Sequence, residues 1–396
     1  MIDIEVFQFG LSTLLLGMSS FCASSLLLRH RRGHPTLPLA LFFLALSIIL
    51  LPIFLRALDS GARLGWVHLA IEFLEIPLGM TLAPLFWLYV RGLTSEDDAP
   101  PVRFKALHLA PILLGIAIYG VFLSLPGDIV IRLERGEVLE GATAPFFVAC
   151  LYVLTSVFHG QLALYLILVF GMLRRYNARL KDLFASTETR ELNWLWWIAG
   201  TGWAYWAFSV TSLLAASLGG ESFDLSTGAS IALTAVFTIP VLWILALWSL
   251  RQQPGLSQPV GVPASVAPAG KYERSALDEG RARRLAARIE AAMREDRLHR
   301  NPNLSLWDLA RHVGGTANHV SQTLNETVGE SFFDYVNRKR VRDAMARIAR
   351  GDETVLAITY DVGFNSRSAF YRAFRRETGL TPGAWRKSRD AARDPA

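Results

Sequence analysis

Cysteine is nearly missing from this chain: Cys22 and Cys150 are the only two in 396 residues, and both lie in apolar runs. That excludes a disulfide framework and any zinc site built on cysteine. Charge is scarce too. Lys, Arg, Asp and Glu supply 19% of residues, against about 25% in an ordinary soluble domain, and mean hydropathy is +0.31, so a purely cytosolic enzyme is an awkward reading. The scarcity is uneven. Residues 1–270 hold 16 Lys and Arg against 17 Asp and Glu, whereas 271–396 hold 24 against 17, so the net +6 joins a balance of −1 to one of +7. The apolar two thirds read as a membrane part and the basic third as a polyanion-binding part.

A bilayer core of about 30 Å needs roughly 20 apolar residues of helix. Seven runs meet or approach that length: Phe7–Leu28, Leu37–Leu55, Val67–Val90, Leu107–Leu125, Phe146–Leu173, Leu192–Leu218 and Gly228–Leu250. The expected architecture is all-α, a seven-helix transmembrane bundle over residues 1–250. The first run is preceded by Asp3 and Glu5 rather than by positive charge, so it reads as a retained anchor and not a signal peptide. Lys and Arg gather on the cytoplasmic side of membrane proteins. The loops after runs one, three and five carry eleven (Arg29, Arg31, Arg32; Arg91, Arg103, Lys105; Arg174, Arg175, Arg179, Lys181, Arg190) against four in the alternate loops (Arg56, Arg63, Arg132, Arg135). The N-terminus is therefore expected outside and the basic third inside, as in a multi-pass protein of a bacterial inner membrane.

Ionisable groups inside spans are functional-site hypotheses by default. The charge-free stretch Ile76–Val90 is too short to cross alone, which draws Glu75 to the edge of the hydrocarbon, with Glu72 and His68 at successive turns on the same face. His68, Glu72 and Glu75 form a candidate signal site; the other reading places Glu72 in the headgroup layer and Glu75 against a neighbouring helix. His159 has no second ligand at metal spacing and reads as structural. Trp194, Trp196 and Trp197 fit an interfacial belt, with Trp203 and Trp206 deeper. No metal or cofactor is expected. The spans hold no His-Glu-x-x-His motif and no Ser or Asp in a recognised catalytic setting, so no enzyme is expected. Paired broken helices of the transporter kind are not obvious either, although a transporter or intramembrane enzyme with a DNA-binding tail is the alternative.

Residues 251–270, RQQPGLSQPVGVPASVAPAG, form a Pro-rich cytoplasmic linker reaching about 60 Å at most. A connector helix follows within 271–300, with Leu277, Leu285, Ile289 and Met293 on one face. Residues 301–396 then repeat themselves. Leu309, Val313 and Gly314 recur as Ile358, Val362 and Gly363, and Val320, Leu324 and Gly329 as Phe370, Phe374 and Gly379, one residue being inserted in the second turn. Each copy reads as helix, Gly-containing turn, Thr or Ser cap (Thr316, Ser366) and second helix, the layout of a helix-turn-helix. Between them FDYVNRKRVRDAMARIAR predicts a long bridging helix.

The runs YVNRKR and DVGFNSRSAFYRAFRRETGLTP and the closing WRK resemble the DNA-binding domain of the AraC/XylS family of bacterial transcription regulators, over about Leu304–Lys387. Seven spans, a tether and this domain together resemble the membrane-bound members of that family. The resemblance implies a sequence-specific regulator of double-stranded DNA whose second helices read bases: Asn318, Ser321 and Gln322 in the first, Arg367, Ser368, Tyr371 and Arg372 in the second. Gln and Asn suit adenine, Arg suits guanine. Thr316, Ser366, Arg338, Arg340, Arg375 and Arg376 would serve phosphates. Two departures stand out. Thr316–Asn325 holds no Lys or Arg, so the second motif should supply more of the affinity. Thr359 replaces a usual Ala, and its hydroxyl is expected to bond back to a helix carbonyl at small cost. The expected function is a one-component regulator that senses in the bilayer and acts on a promoter or operator. Its partners are lipid, DNA and an unidentified small-molecule or membrane signal, with homodimer formation left open.

Overall fold

The computed structural model describes residues 4–28, 36–58, 74–95, 108–124, 143–188, 190–217, 227–249 and 278–393, and these are predominantly helical. The chain divides into two compact units, Met1–Leu173 with Leu192–Leu256, and Arg174–Glu191 with Ser257–Ala396.

The apolar helices are α1 (Ile4–Leu28), α2 (Thr36–Leu58), α3 (Glu75–Thr94), α4 (Ala110–Leu123), α5 (Thr143–Leu183), α6 (Asn193–Ser217) and α7 (Thr227–Ser249). Each lies on one of the seven apolar runs. By length and composition, Phe9–Leu28, Glu75–Thr94 and Tyr152–Leu183 are long and apolar enough to cross a membrane, while Thr36–Pro52, Ala110–Val121 and Thr238–Trp248 are shorter apolar stretches.

Within this unit the few polar groups serve packing. Ser47 donates to Ser19 Oγ at 2.8 Å and receives from Ser20 at 3.3 Å, so small hydroxyls let α1 and α2 approach closely. Gln161 Nε2, buried, donates to the Met80 carbonyl at 3.0 Å and ties α5 to α3. His159 Nδ1 lies 2.7 Å from the Thr155 carbonyl, and Trp206 donates to the His159 carbonyl at 2.9 Å. Trp194 is buried and stacked on Trp248, whereas Trp197 is 74% exposed, so the tryptophans expected as one belt divide between packing and surface.

Two boundaries differ from expectation. Helix α5 does not end at Leu173 but continues to Leu183. Leu173, Tyr176, Leu180 and Leu183 are all buried and keep a helical spacing, so Arg174, Arg175, Arg179 and Lys181 lie within one amphipathic helix and not in a loop. Helix α3 starts at Glu75, an exposed first-turn position where a carboxylate suits the helix dipole. His68 and Glu72 lie outside the described residues, as does the 251–270 linker.

The second unit contains α8 (Glu279–Arg294), a single 3₁₀ turn (Leu298–Arg300), α9 (Leu306–His312), α10 (Ala317–Gln322, running on as a wider turn through Val328), α11 (Phe332–Arg350), α12 (Val355–Asp361), α13 (Arg367–Thr378) and α14 (Pro382–Arg393). Leu285, Ile289 and Met293 of α8 are buried, so the connector packs into the unit as part of its core. Around the second repeat, Val341, Ala344 and Ile348 of α11 pack with Ile358, Val362, Phe370 and Phe374.

Candidate nucleic-acid interface

Both repeats begin with capped helices. Ser305 caps α9 in a reciprocal box with Asp308, the Asp308 N–H reaching Ser305 Oγ at 3.2 Å and the Ser305 N–H reaching Asp308 Oδ2 at 3.2 Å. Thr354 caps α12 through the Ala357 N–H at 3.1 Å. The second helices are capped by the residues singled out from sequence: the His319 N–H donates to Thr316 Oγ1 at 3.2 Å, and the Ala369 N–H to Ser366 Oγ at 3.2 Å. Thr359, fully buried, donates to the Val355 carbonyl at 2.8 Å, the back-bond anticipated for it.

The turns explain the glycines. Gly314 has φ +64° and Gly363 φ +99°, conformations that L side chains rarely adopt. A Cβ on Gly314 would approach only the far end of Arg288, at 3.7 Å, whereas one on Gly363 would lie 2.6 Å from the His299 carbonyl oxygen. The inserted residue lengthens the second turn. There Phe364 is buried and Asn365 Nδ2 donates to the Pro302 carbonyl at 3.2 Å, pinning the turn to the chain that enters the first motif.

These contacts orient the reader helices. Phe370 and Phe374 are fully buried, which turns Arg367, Ser368, Arg372 and Arg375 away from the core, while Tyr371 is half-buried and packs against its edge. Arg367, Ser368, Arg372 and Arg375 are exposed. Arg367 lies over the Tyr371 ring, 5.0 Å from its centroid, with a 3.3 Å hydrogen bond to the hydroxyl. Arg372 and Arg375 have no partner among the described residues. In α10, Val320 and Leu324 point inward while Asn318 is exposed; Gln322 donates to Glu326 at 2.9 Å, and Ser321 accepts from Asn325 at 3.4 Å. The seven reader candidates thus fall on two exposed or half-exposed helix faces carrying adenine- and guanine-compatible groups.

Three of the expected phosphate contacts are otherwise engaged. Arg340 is fully buried, so it offers nothing to a phosphate in this conformation. Arg338 is tied to Glu330 at 2.8 Å and packed on Tyr335, and Arg376 pairs with Asp334 at 2.7 Å. The physical reason is common to the first two: packing of α11 engages Arg338, Lys339 and Arg340 with neighbouring groups and leaves Arg342 exposed, which a one-dimensional charge count does not register.

Sequence reading also missed the polar clamps around α11. Asp343 receives Arg300 Nε at 2.8 Å and lies 3.1 Å from His299 Nε2. Burial opposes the Asp343 carboxylate, but hydrogen bonds from His299 and Arg300 together with their charges outweigh it and hold the group well below the usual carboxylate range. Arg347 pairs with Glu353 and, at 2.8 Å, with Asp361, binding α11 to the second motif. The Asp343 clamp joins residues 43 positions apart, so no local spacing marks it.

A family model for a helix-turn-helix domain matches residues 309–388. The C-terminal part of the chain is an AraC-type helix-turn-helix domain. Over 94 residues the chain is 34% identical to an uncharacterized HTH-type transcriptional regulator of Staphylococcus aureus (strain COL), a match covering 24% of this chain and 13% of that protein. It is likewise 34% identical over 93 residues to a protein described as an AraC-like transcription regulator of Streptomyces lividans, covering 23% of this chain and 30% of that one. The matched region therefore spans less than a third of either relative. Among solved structures, the C-terminal domain of AraT, a response regulator from Geobacillus stearothermophilus, is 20% identical with a TM-score of 0.24, covering 29% of this chain and 88% of that one.

Proposed function

We propose that this protein is a membrane-embedded one-component regulator, in which the apolar helices sense a signal and the AraC-type domain acts on promoter or operator DNA. The observation that carries the reading is the union, among the described residues of one chain, of seven apolar helices with a second motif helix whose exposed Arg372 and Arg375 side chains have no partner among those residues. In this reading α1 to α7 cross a bacterial inner membrane with the N-terminus outside. Arg367, Ser368, Tyr371 and Arg372, with Asn318, Ser321 and Gln322, read bases, and Thr316, Ser366 and Arg375 hold phosphates.

A signal has two candidate entries. One is the outer edge at His68, Glu72 and Glu75. The other is a cavity of about 340 Å³ among the apolar helices, lined by Phe42, Phe86, Gln161, Tyr165 and Tyr205. Its lining suits an apolar molecule with one or two hydrogen-bonding groups.

Two measurements test the reading. Reporter fusions at the C-terminus should report the cytoplasm, and genome-wide occupancy mapping should place the chain at discrete promoters. A C-terminus on the far side of the membrane, or occupancy no different from background, would overturn it.

A further inference from the structure

Residues Arg174–Glu191, the last turns of α5 and the stretch leading toward α6, fold with the basic C-terminal unit. Phe184 and Ser305 form an isolated antiparallel bridge, and the Ala185 N–H donates to the Leu304 carbonyl at 3.0 Å. The Phe184 ring meets Trp307 in an edge-type contact at 5.6 Å, and the Arg190 guanidinium lies over the Phe184 ring, 4.0 Å from its centroid. Phe184, Ala185, Ser186 and Thr187 are all buried. This is a seated peptide, held by backbone pairing and an aromatic anchor.

The seat is closed by Arg340, itself fully buried. Its Nη1 donates to the Ala185 carbonyl at 3.1 Å and to Ser186 Oγ at 3.0 Å. The same guanidinium donates to the His299 carbonyl at 2.7 Å, the Asn301 carbonyl at 2.8 Å and Asn337 Oδ1 at 3.3 Å. None of these acceptors is a carboxylate. Its hydrogen bonds all go to neutral oxygens; burial pushes its pKa down to about 10, the Glu188 charge offsetting part of that, so it is still protonated near neutrality. A buried cation stripped of acceptors is costly. If 185–186 leave, Arg340 must rehydrate, and the clamp loosens on Asn301–Ser305, the stretch that launches α9 and is pinned to the second motif through Pro302 and Asn365.

Resting on the membrane-regulator reading, we propose that residues 184–187 are the transmission contact of this protein. Seated on Leu304, Ser305 and Arg340, they hold the first helix-turn-helix in register with the second; withdrawn by a change in the helices they join, they release it and weaken specific DNA binding.

The test uses the full-length chain and a duplex selected from a random library by the wild-type protein. Ala185→Pro removes the N–H that bonds Leu304 and should weaken binding about tenfold, the order expected for losing a small set of buried hydrogen bonds. A second variant guards against simple misfolding. Phe184→Cys with Ser305→Cys, in a background carrying Cys22→Ala and Cys150→Ala, places thiols at a bridged antiparallel pair, whose Cα separation of about 4.5 to 5.5 Å suits a disulfide. The oxidised form should bind about tenfold more tightly than the reduced form, the loss of the Ser305 cap and the Phe184 ring being common to both and cancelling between them. Affinities within twofold of each other in the two redox states, or tighter binding on reduction, would overturn the proposal. The comparison is made in detergent without any signal, so it stands apart from the topology fusions that test the membrane reading.

Discussion

Gly363 offers a sharp test of how the second helix-turn-helix is built. Two penalties fall on Gly363→Ala. The backbone at φ +99° disfavours any L side chain, by roughly 1 to 2 kcal/mol as for left-handed conformations in general. The new Cβ would also lie 2.6 Å from the His299 carbonyl oxygen and 2.9 Å from the Arg300 carbonyl. Those are backbone atoms that cannot rotate away, and relieving such overpacking costs typically about 1 to 3 kcal/mol more. Together the substitution should destabilise the second motif by about 3 kcal/mol, more than a hundredfold in the local opening equilibrium. Gly314→Ala is the internal control: it carries a similar backbone penalty at φ +64° but meets only a mobile Arg288 terminus, so it should cost about 1 kcal/mol. Amide hydrogen exchange, followed across α12 and α13 for Gly363→Ala and across α9 and α10 for Gly314→Ala, reads both directly. Equal loss of protection in the two variants, or greater loss for Gly314→Ala, would refute the reasoning that backbone contact with His299 and Arg300 sets the turn.

Arg372→Ala should cost about 1 to 3 kcal/mol of specific binding and relax preference at one base pair; unchanged affinity and preference in a gel-shift titration would remove Arg372 from the readers. Arg375→Ala should weaken binding across all sequences and lower the salt dependence, whereas Arg376→Ala should do so less because Asp334 already engages that side chain; the reverse order in salt titrations would count against the assignment. The Asp343 carboxylate is held below its unfolded value, so its contribution is present above about pH 4 and is lost as pH falls further. Asp343→Asn should therefore cost about 2 kcal/mol at pH 7 and little at strongly acid pH, as followed by urea unfolding; a pH-independent cost would exclude the ionic clamp. Should Glu75 belong to the signal site, Glu75→Gln will change reporter output while leaving DNA affinity of the purified chain intact; normal output across stimuli would assign it to structure.

Much of the design is local and so lies open in the primary structure. Among the described residues each of the seven apolar runs carries a helix, as their length, well beyond that of an ordinary strand, indicates. The 49- and 50-residue offsets between Leu309 and Ile358 and between Val320 and Phe370 mark two copies of one motif, and the caps at Thr316 and Ser366 are where short oxygen-bearing side chains precede a helix. The extension of α5 to Leu183 was hidden by its own charges, since Arg174, Arg175, Arg179 and Lys181 suggested a loop while Tyr176 and Leu180 continued the buried stripe.

Composition, periodicity and repeat spacing were enough to determine an apolar helical part and a basic part with two helix-turn-helix motifs. Only the tertiary structure decided which cations remain available. Arg338, Arg340 and Arg376 look alike in a list of basic residues, but folding pairs the first with Glu330, buries the second among carbonyls and spends the third on Asp334. The seat of Phe184–Thr187 against Leu304 and Arg340 was equally unreadable, its hydrogen bonds joining residues up to 155 positions apart. Helical periodicity and capping act over a few residues and leave a pattern in the chain. Desolvation and charge pairing depend on what three-dimensional packing brings near, and they leave none.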